Sequence, residues 1–113
     1  MDISKLVEGA WLELYPADER IGPVRLKVNP LPTDTRIDPD VVDGAALIEK
    51  VTRLVLDWNF ESNGEKIECT PETRQKYMGN ILRLELKSDT EEKAYVAWEL
   101  IKFCASIDNF LKN

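Results

Sequence analysis

Residues 54–77, LVLDWNFESNGEKIECTPETRQKY, contain the strongest turn signal and the clearest helix start in this sequence. Asn63-Gly64 tolerates the positive φ angles of a two-residue type I′ turn, so we expect residues 58–61 to fold back on residues 66–69 as a small hairpin. Thr70-Pro71-Glu72 combines an N-cap residue, proline at the first helical position and an acid in the first turn. The stretch therefore predicts a hairpin that joins one helix to the next.

Upstream of this stretch, the sequence predicts an antiparallel pair of strands. Residues 11–15, WLELY, favour β structure, and residues 24–28, VRLKV, alternate strictly between apolar and basic side chains. This alternation places the three apolar side chains of VRLKV on one face of the strand. The polar loop between the strands ends in Gly22-Pro23. An isolated hairpin is marginal in water, so we expect a covering layer over its apolar face.

Three helices are predicted after the strands. The first begins at Asp38-Pro39 and runs to about Leu56, followed by extended chain, although alternate apolar residues from 54 to 60 also fit a strand. The second begins at Thr70, and Gly79 within it predicts a close packing contact. The third begins at residues 88–90. It is apolar around most of its circumference, so it is either the central helix or meets another chain.

The 113 residues suffice for one domain whose core needs no disulfide or metal. We divide this single domain, 1–113, into a β-rich N-terminal part with a connector, residues 1–38, and a helical part, residues 39–113, with a short hairpin near 58–69. The predicted fold class is α+β. It comprises a short N-terminal antiparallel β-hairpin and a small central hairpin, both packed on a bundle of about three helices.

The charge balance excludes some classes of partner. There are 15 basic and 21 acidic residues, for a net charge of −6, which argues against nucleic acid or an anionic membrane as the main partner. No apolar stretch approaches the roughly 18 residues that span a bilayer, and the first residues lack a signal-peptide pattern. The sequence therefore predicts a cytosolic protein.

No pattern predicts an enzyme, a cofactor or a metal site. The chain has no histidine, which is the commonest general base near neutral pH and the commonest metal ligand, and it has no Gly-rich phosphate loop. Acidic clusters at 18–19, 38–40 and 89–92 are better explained as loops and helix N-termini. Cys69 and Cys104 are expected to be free thiols in or near the core.

The three tryptophans, Trp11, Trp58 and Trp98, have two interpretations. In the first, all three are core anchors, because each buries a large area. In the second, Trp58 lies beside its turn on a surface that binds a partner. The third helix is the other candidate for such a surface, and we expect a homo-oligomer through it. The candidate partner-binding residues are Trp58, Val96, Leu100, Ile101, Phe103, Ile107 and Phe110.

The order of these pieces resembles the tail assembly chaperones of long-tailed bacteriophages and of prophages derived from them. The likeness covers most of the chain by order and spacing. Cys69 departs from the family pattern, which has a small or apolar residue there, and residues 61–64 replace a more acidic loop. The matching segments are Leu56-Asp57-Trp58-Asn59-Phe60, Asn63-Gly64-Glu65, Thr70-Pro71-Glu72 and Asn109-Phe110-Leu111.

The resemblance implies a non-catalytic protein of the host cytoplasm that is absent from the mature virion. Such a chaperone binds the tape-measure protein and assists assembly of the tail tube protein. For a helical client we expect a helix-in-groove or helix-bundle contact. The residues are also compatible with two alternatives. One is a small head–tail connector or tail-completion structural protein, and the other is a bacterial protein–protein adaptor domain.

Overall fold

A computed structural model describes residues 9–32 and 44–111, and these residues form an α+β fold, as predicted. A three-stranded antiparallel sheet has the order β1-β2-β3. Its strands are β1 (Ala10–Leu14), β2 (Val24–Val28) and β3 (Val55–Trp58). Leu12 pairs with Leu26 and Leu26 with Trp58, so the apolar side chains of all three strands lie on one face. No helix among these residues is long and apolar enough to cross a membrane.

The third strand corrects the predicted first helix. That helix, α1 (Gly44–Thr52), ends before Leu56, and the next residues pair with β2. Val55 and Trp58 are buried on the sheet, and the Asn29 amide donates to the Leu54 carbonyl at 2.9 Å. Pairing with β2 therefore prevails over the helical periodicity of these residues. The sheet thus contains strands from both predicted parts of the chain, residues 1–38 and residues 39–113. The predicted start at residues 38–39 lies outside the described residues.

The predicted type I′ hairpin is confirmed. Strands β4 (Glu61–Ser62) and β5 (Glu65–Lys66) are antiparallel neighbours. Asn63 has φ 52° and Gly64 has φ 83°, the positive values that this turn requires. The strands are shorter than predicted, although the Ile67 amide extends the pairing by donating to the Phe60 carbonyl at 2.9 Å.

The helix start at Thr70 is also confirmed. Helix α2 (Pro71–Ile81) begins with proline, and the Thr73 amide donates to the Thr70 hydroxyl at 3.2 Å. The Thr70 amide in turn donates to the Thr73 hydroxyl at 2.8 Å. These reciprocal bonds satisfy two backbone donors that the first turn of a helix would otherwise leave unpaired.

Replacing Thr70 tests this cap. We expect Thr70→Ala to lower the free energy of unfolding by about 1 kcal/mol, because it removes the hydroxyl acceptor. Urea denaturation followed by circular dichroism measures the change. Thr70→Ser keeps the hydroxyl and should retain most of the stability. If the alanine and serine variants lose equal stability, the cap is not what holds this helix end.

The second half of α2 differs from the prediction at two points. The helix ends at Ile81, and the apolar residues beyond it lead into β6 (Glu85–Leu86), which pairs with β7 (Ala94–Tyr95). A Cβ built on Gly79 would meet no heavy atom within 4 Å. The expected close packing contact at Gly79 is therefore wrong, because this glycine faces a cleft.

The predicted third helix starts too early. Helix α3 (Val96–Ala105) begins after β7, and a 3₁₀ turn (Ile107–Phe110) follows it. The Val96 amide donates to the Leu84 carbonyl at 3.0 Å and the Ala97 amide to the Leu82 carbonyl at 3.1 Å. Because the chain is paired with residues 82–86 here, residues 88–93 form a loop rather than a first helical turn.

One apolar core lies between the sheet and the helices. The inner face of the sheet packs on α3, which also contacts α1, while α1 contacts α2. Among the described residues, no polar or charged residue is buried. The core residues are Leu14, Val24, Leu26, Val28, Val51, Leu54, Val55, Trp58, Met78, Leu82, Leu86, Val96, Leu100, Ile101, Cys104 and Phe110.

Candidate partner-binding surface

The structure places most of the predicted partner-binding residues in the protein's own core. The exposed fraction is 8% or less for five of the seven, while Phe103 is half-buried and Ile107 is 49% exposed. The five buried residues are Trp58, Val96, Leu100, Ile101 and Phe110. Packing of α3 on both the sheet and α1 accounts for its wide apolar circumference. As placed, those five side chains offer almost no surface to a second protein.

Trp58 is the internal anchor of the small hairpin. Its indole Nε1 donates to the Ile67 carbonyl at 2.7 Å, and its ring stacks on Phe60 with centroids 4.4 Å apart. The surface interpretation of Trp58 is therefore wrong. The interpretation of all three tryptophans as core anchors holds for Trp58 but not for Trp11, which is 53% exposed, or Trp98, which is 38% exposed.

The outer face of the sheet carries exposed aromatic side chains. Trp11 and Tyr15 alternate with the inward-facing Leu12 and Leu14, so both project away from the core. Leu56 lies on the same outer side, since a Cβ on Gly9 would be 2.9 Å from its Cδ1. We call this the sheet face. The alternation in WLELY is the sequence signal that could have located it.

Three polar side chains on the sheet face are paired with one another. The Tyr15 hydroxyl and Arg25 Nε both donate to the Glu13 carboxylate, the second at 2.7 Å. The Tyr15 hydrogen bond, with help from Arg25, lowers the pKa of Glu13 below its ordinary value, and the same bond raises the pKa of Tyr15. These three side chains therefore already satisfy one another across β1 and β2.

A groove of about 710 Å³ opens on another side, between the β1–β2 loop, the β4–β5 hairpin and α2. We call it the hairpin groove. Its apolar lining comes from three separate parts of the chain, and Ile21 at its edge is 47% exposed. The main apolar residues are Ile21, Phe60, Ile67, Tyr77 and Ile81. Its volume lies within the range of about 300–1,000 Å³ that ligand-binding clefts occupy.

Hydrogen bonds fix the walls of the hairpin groove. The Asn59 side chain accepts from the Arg25 amide at 2.9 Å and donates from Nδ2 to the Pro23 carbonyl at 3.0 Å. This amide side chain therefore ties the β1–β2 loop to the start of the hairpin. Trp58 holds the opposite wall through its bond to the Ile67 carbonyl. These contacts fix the groove walls before any partner is bound.

A second cleft, of about 610 Å³, lies between α1 and α2 and is more polar. Arg53 pairs with Glu49 across one helical turn, and Arg74 Nη1 donates to the Val55 carbonyl at 2.8 Å. Its arginines thus contact their own neighbours. Across residues 9–32 and 44–111, no cluster of three or more acidic, cysteine or histidine side chains could hold a metal ion.

Both cysteines are free thiols, as predicted. Cys104 is buried in the core, and burial raises the pKa of its thiol from 9.0 to about 12. Burial also raises the pKa of Cys69, which is half-buried. Both thiols are thus protonated near neutral pH, so neither is an activated nucleophile.

Cys104 gives this protein a pH dependence of known sign. The unfolded thiol ionises above about pH 9 while the folded thiol stays protonated to about pH 12. The unfolded state therefore binds fewer protons than the folded state in this interval. As a result, ionisation of Cys104 lowers the free energy of unfolding by up to about 1.4 kcal/mol for each unit by which the pH rises. Denaturation of wild type and Cys104→Ala across the interval measures it. Equal slopes in the two proteins would contradict the expectation.

No protein-family model, curated protein or solved structure matches this chain.

Proposed function

We propose that this protein is a non-catalytic tail assembly chaperone of a long-tailed phage or prophage. It binds the tape-measure protein and assists assembly of the tail tube in the host cytoplasm, and it is absent from the mature virion. The observation that carries the proposal is the apolar hairpin groove on an otherwise acidic chain. Such a groove takes apolar side chains of a client out of water, and the net charge of −6 favours solubility of the complex.

Three of the four segments that carry the family resemblance also build this groove. Asn59 and Phe60 belong to the first of them and line the groove, and Asn63-Gly64 forms the turn that brings Ile67 back beside Phe60. Thr70-Pro71 starts the helix that supplies Tyr77 and Ile81. The resemblance and the groove therefore point to the same part of the molecule, which supports a role in client binding.

Mass spectrometry tests the proposal against its runner-up. A tagged copy of the chain, expressed during phage production, is expected to recover the tape-measure protein from the host lysate. The same protein is expected to be missing from purified virions. A head–tail connector or tail-completion protein would instead be found in virions in a fixed ratio to the tail proteins, and that result would overturn the proposal.

Gene order distinguishes a bacterial adaptor domain from the proposed chaperone. A chaperone of this kind is expected to be encoded among tail genes, next to the gene for the tape-measure protein. Flanking genes without any tail component, together with failure to recover a tape-measure protein, would favour the adaptor domain.

A further inference from the structure

The hairpin groove has the form of a receptor for one face of a helix. Its α2 wall presents Tyr77, Asn80 and Ile81, which share one helical face at spacings of three and four residues. Ile21 lies on the β1–β2 loop at the edge of the groove, exposed over 47% of its surface. The groove therefore has two apolar sides between which side chains from one stripe of a partner could pack.

Two main-chain amides of the groove walls already donate to carbonyls within the protein. The Asn59 amide donates to the Arg25 carbonyl at 3.2 Å, and the Ile67 amide donates to the Phe60 carbonyl. Strand β4 has only 2 residues, which is too short an edge for an extended peptide to join. A helix suits this largely apolar groove, because a helix satisfies its own backbone groups.

One charge lies in the lining. Glu61 is the only aspartate, glutamate, lysine or arginine among the groove residues in the described part of the chain. It is exposed and forms no ion pair with any residue in ranges 9–32 and 44–111. Lys66 lies opposite Glu61 across the hairpin but does not line the groove. An occupant of the groove therefore meets the Glu61 carboxylate, which favours a basic side chain at that point.

We propose that the hairpin groove binds a single amphipathic helix of the client. Apolar side chains of that helix lie between Ile21 and Tyr77, and a lysine or arginine beside its apolar stripe faces Glu61. This inference rests on the proposed function for the identity of the client. The geometry of the groove favours a helix as the occupant. The charge of Glu61 favours a basic residue beside the apolar stripe of that helix.

Two synthetic peptides test the inference on the full chain without the natural client. Both form the same helix with a leucine stripe at spacings of three and four residues, and they differ only in lysine or glutamate beside the stripe. Titration into ¹⁵N-labelled protein is expected to shift the amide signals of Ile21, Phe60, Ile67 and Tyr77. The lysine peptide should bind about threefold more tightly than the glutamate peptide at low salt, since an exposed ion pair is weak.

Charge reversal at the groove identifies the residue responsible. We expect Glu61→Lys to reverse the preference between the two peptides. Glu65→Lys is the matched control, because Glu65 is exposed on the other strand of the same hairpin and does not line the groove. It should leave the order of affinities unchanged. If both variants change the preference equally, the effect comes from net charge and the Glu61 contact is wrong.

An apolar pair of variants tests the position of the site. Ile21→Glu should weaken binding of the lysine peptide by about tenfold, because a side chain that would be buried on binding is lost. Leu56→Glu on the sheet face is the control, since Leu56 is 39% exposed and should not affect this binding. Signal shifts confined to the sheet face, or no shifts with either peptide, would overturn the inference. A groove that binds these helices while the tape-measure protein is not recovered would instead count against the proposed function.

Discussion

Trp58→Ala is expected to lower the free energy of unfolding by about 3–5 kcal/mol, the usual loss for a large buried aromatic residue. The Trp58 side chain is 1% exposed and is one of the largest in the core. The change leaves a cavity between β3 and the hairpin, removes the stacking on Phe60 and leaves the Ile67 carbonyl without its indole donor. Such a loss is a large part of the 5–15 kcal/mol of a typical domain.

Urea denaturation monitored by circular dichroism measures this effect, with Trp11→Ala as the matched control. Trp11 is 53% exposed, so its replacement should change stability by no more than about 0.5 kcal/mol. Trp58→Ala should also disturb the NMR signals of residues 60–67, since the hairpin loses its anchor. Equal losses for the two tryptophans would contradict the placement of Trp58 in the core.

Ile101→Asp is expected to unfold the protein. Ile101 is 8% exposed on α3, and no basic side chain is buried in the described core to receive a carboxylate. Burying an unpaired carboxylate in such a position, or forcing it to take up a proton there, costs several kcal/mol. This cost is comparable to the free energy of unfolding of a whole domain. Loss of the cooperative thermal transition in circular dichroism measures the result.

Ile107→Asp is the matched control and tests self-association at the same time. Ile107 is 49% exposed on the 3₁₀ turn, so the variant should stay folded. If the end of the chain forms a homo-oligomer, as the sequence predicts, this variant should lower the apparent mass in light scattering. A folded Ile101→Asp protein of reduced mass would instead show that Ile101 lies in an interface between chains.

Local signals in the sequence were sufficient to predict several elements of the fold. The alternation of residues 24–28, the Asn63-Gly64 turn and the Thr70 cap each depend on residues within a few positions of one another. The structure has all three where they were predicted. Such features follow from backbone preferences that act before any distant contact forms.

Elements that depend on distant pairing were predicted less well. Val55–Trp58 is a strand because β2 lies beside it, although its helical and strand patterns are both present in the sequence. Pairing of residues 94–95 with 85–86 likewise delays the start of α3 to Val96. The acidic residues before α3 fit a helix N-terminus equally well, so no local rule distinguishes the two outcomes.

The candidate site was the least predictable part. The hairpin groove combines Ile21 from a loop, Phe60 and Ile67 from a hairpin, and Tyr77 from a helix. Periodicity identifies faces within one element, whereas this groove exists because the Asn59 side chain holds the loop beside the hairpin. An isolated isoleucine in a polar loop was the one local signal. On the last helix, apolar content alone did not separate a central core helix from an interface.

Co-expression with the tape-measure protein is the sharpest test of the proposed chaperone function. The measurement is the fraction of tape-measure protein in the soluble lysate, with and without this chain, at matched expression levels. We expect the wild-type chain to raise this fraction and to elute together with the client on size-exclusion chromatography. Ile21→Glu should lose both effects while remaining folded. A tape-measure protein that is equally insoluble with and without the wild-type chain would show that this protein is not its chaperone.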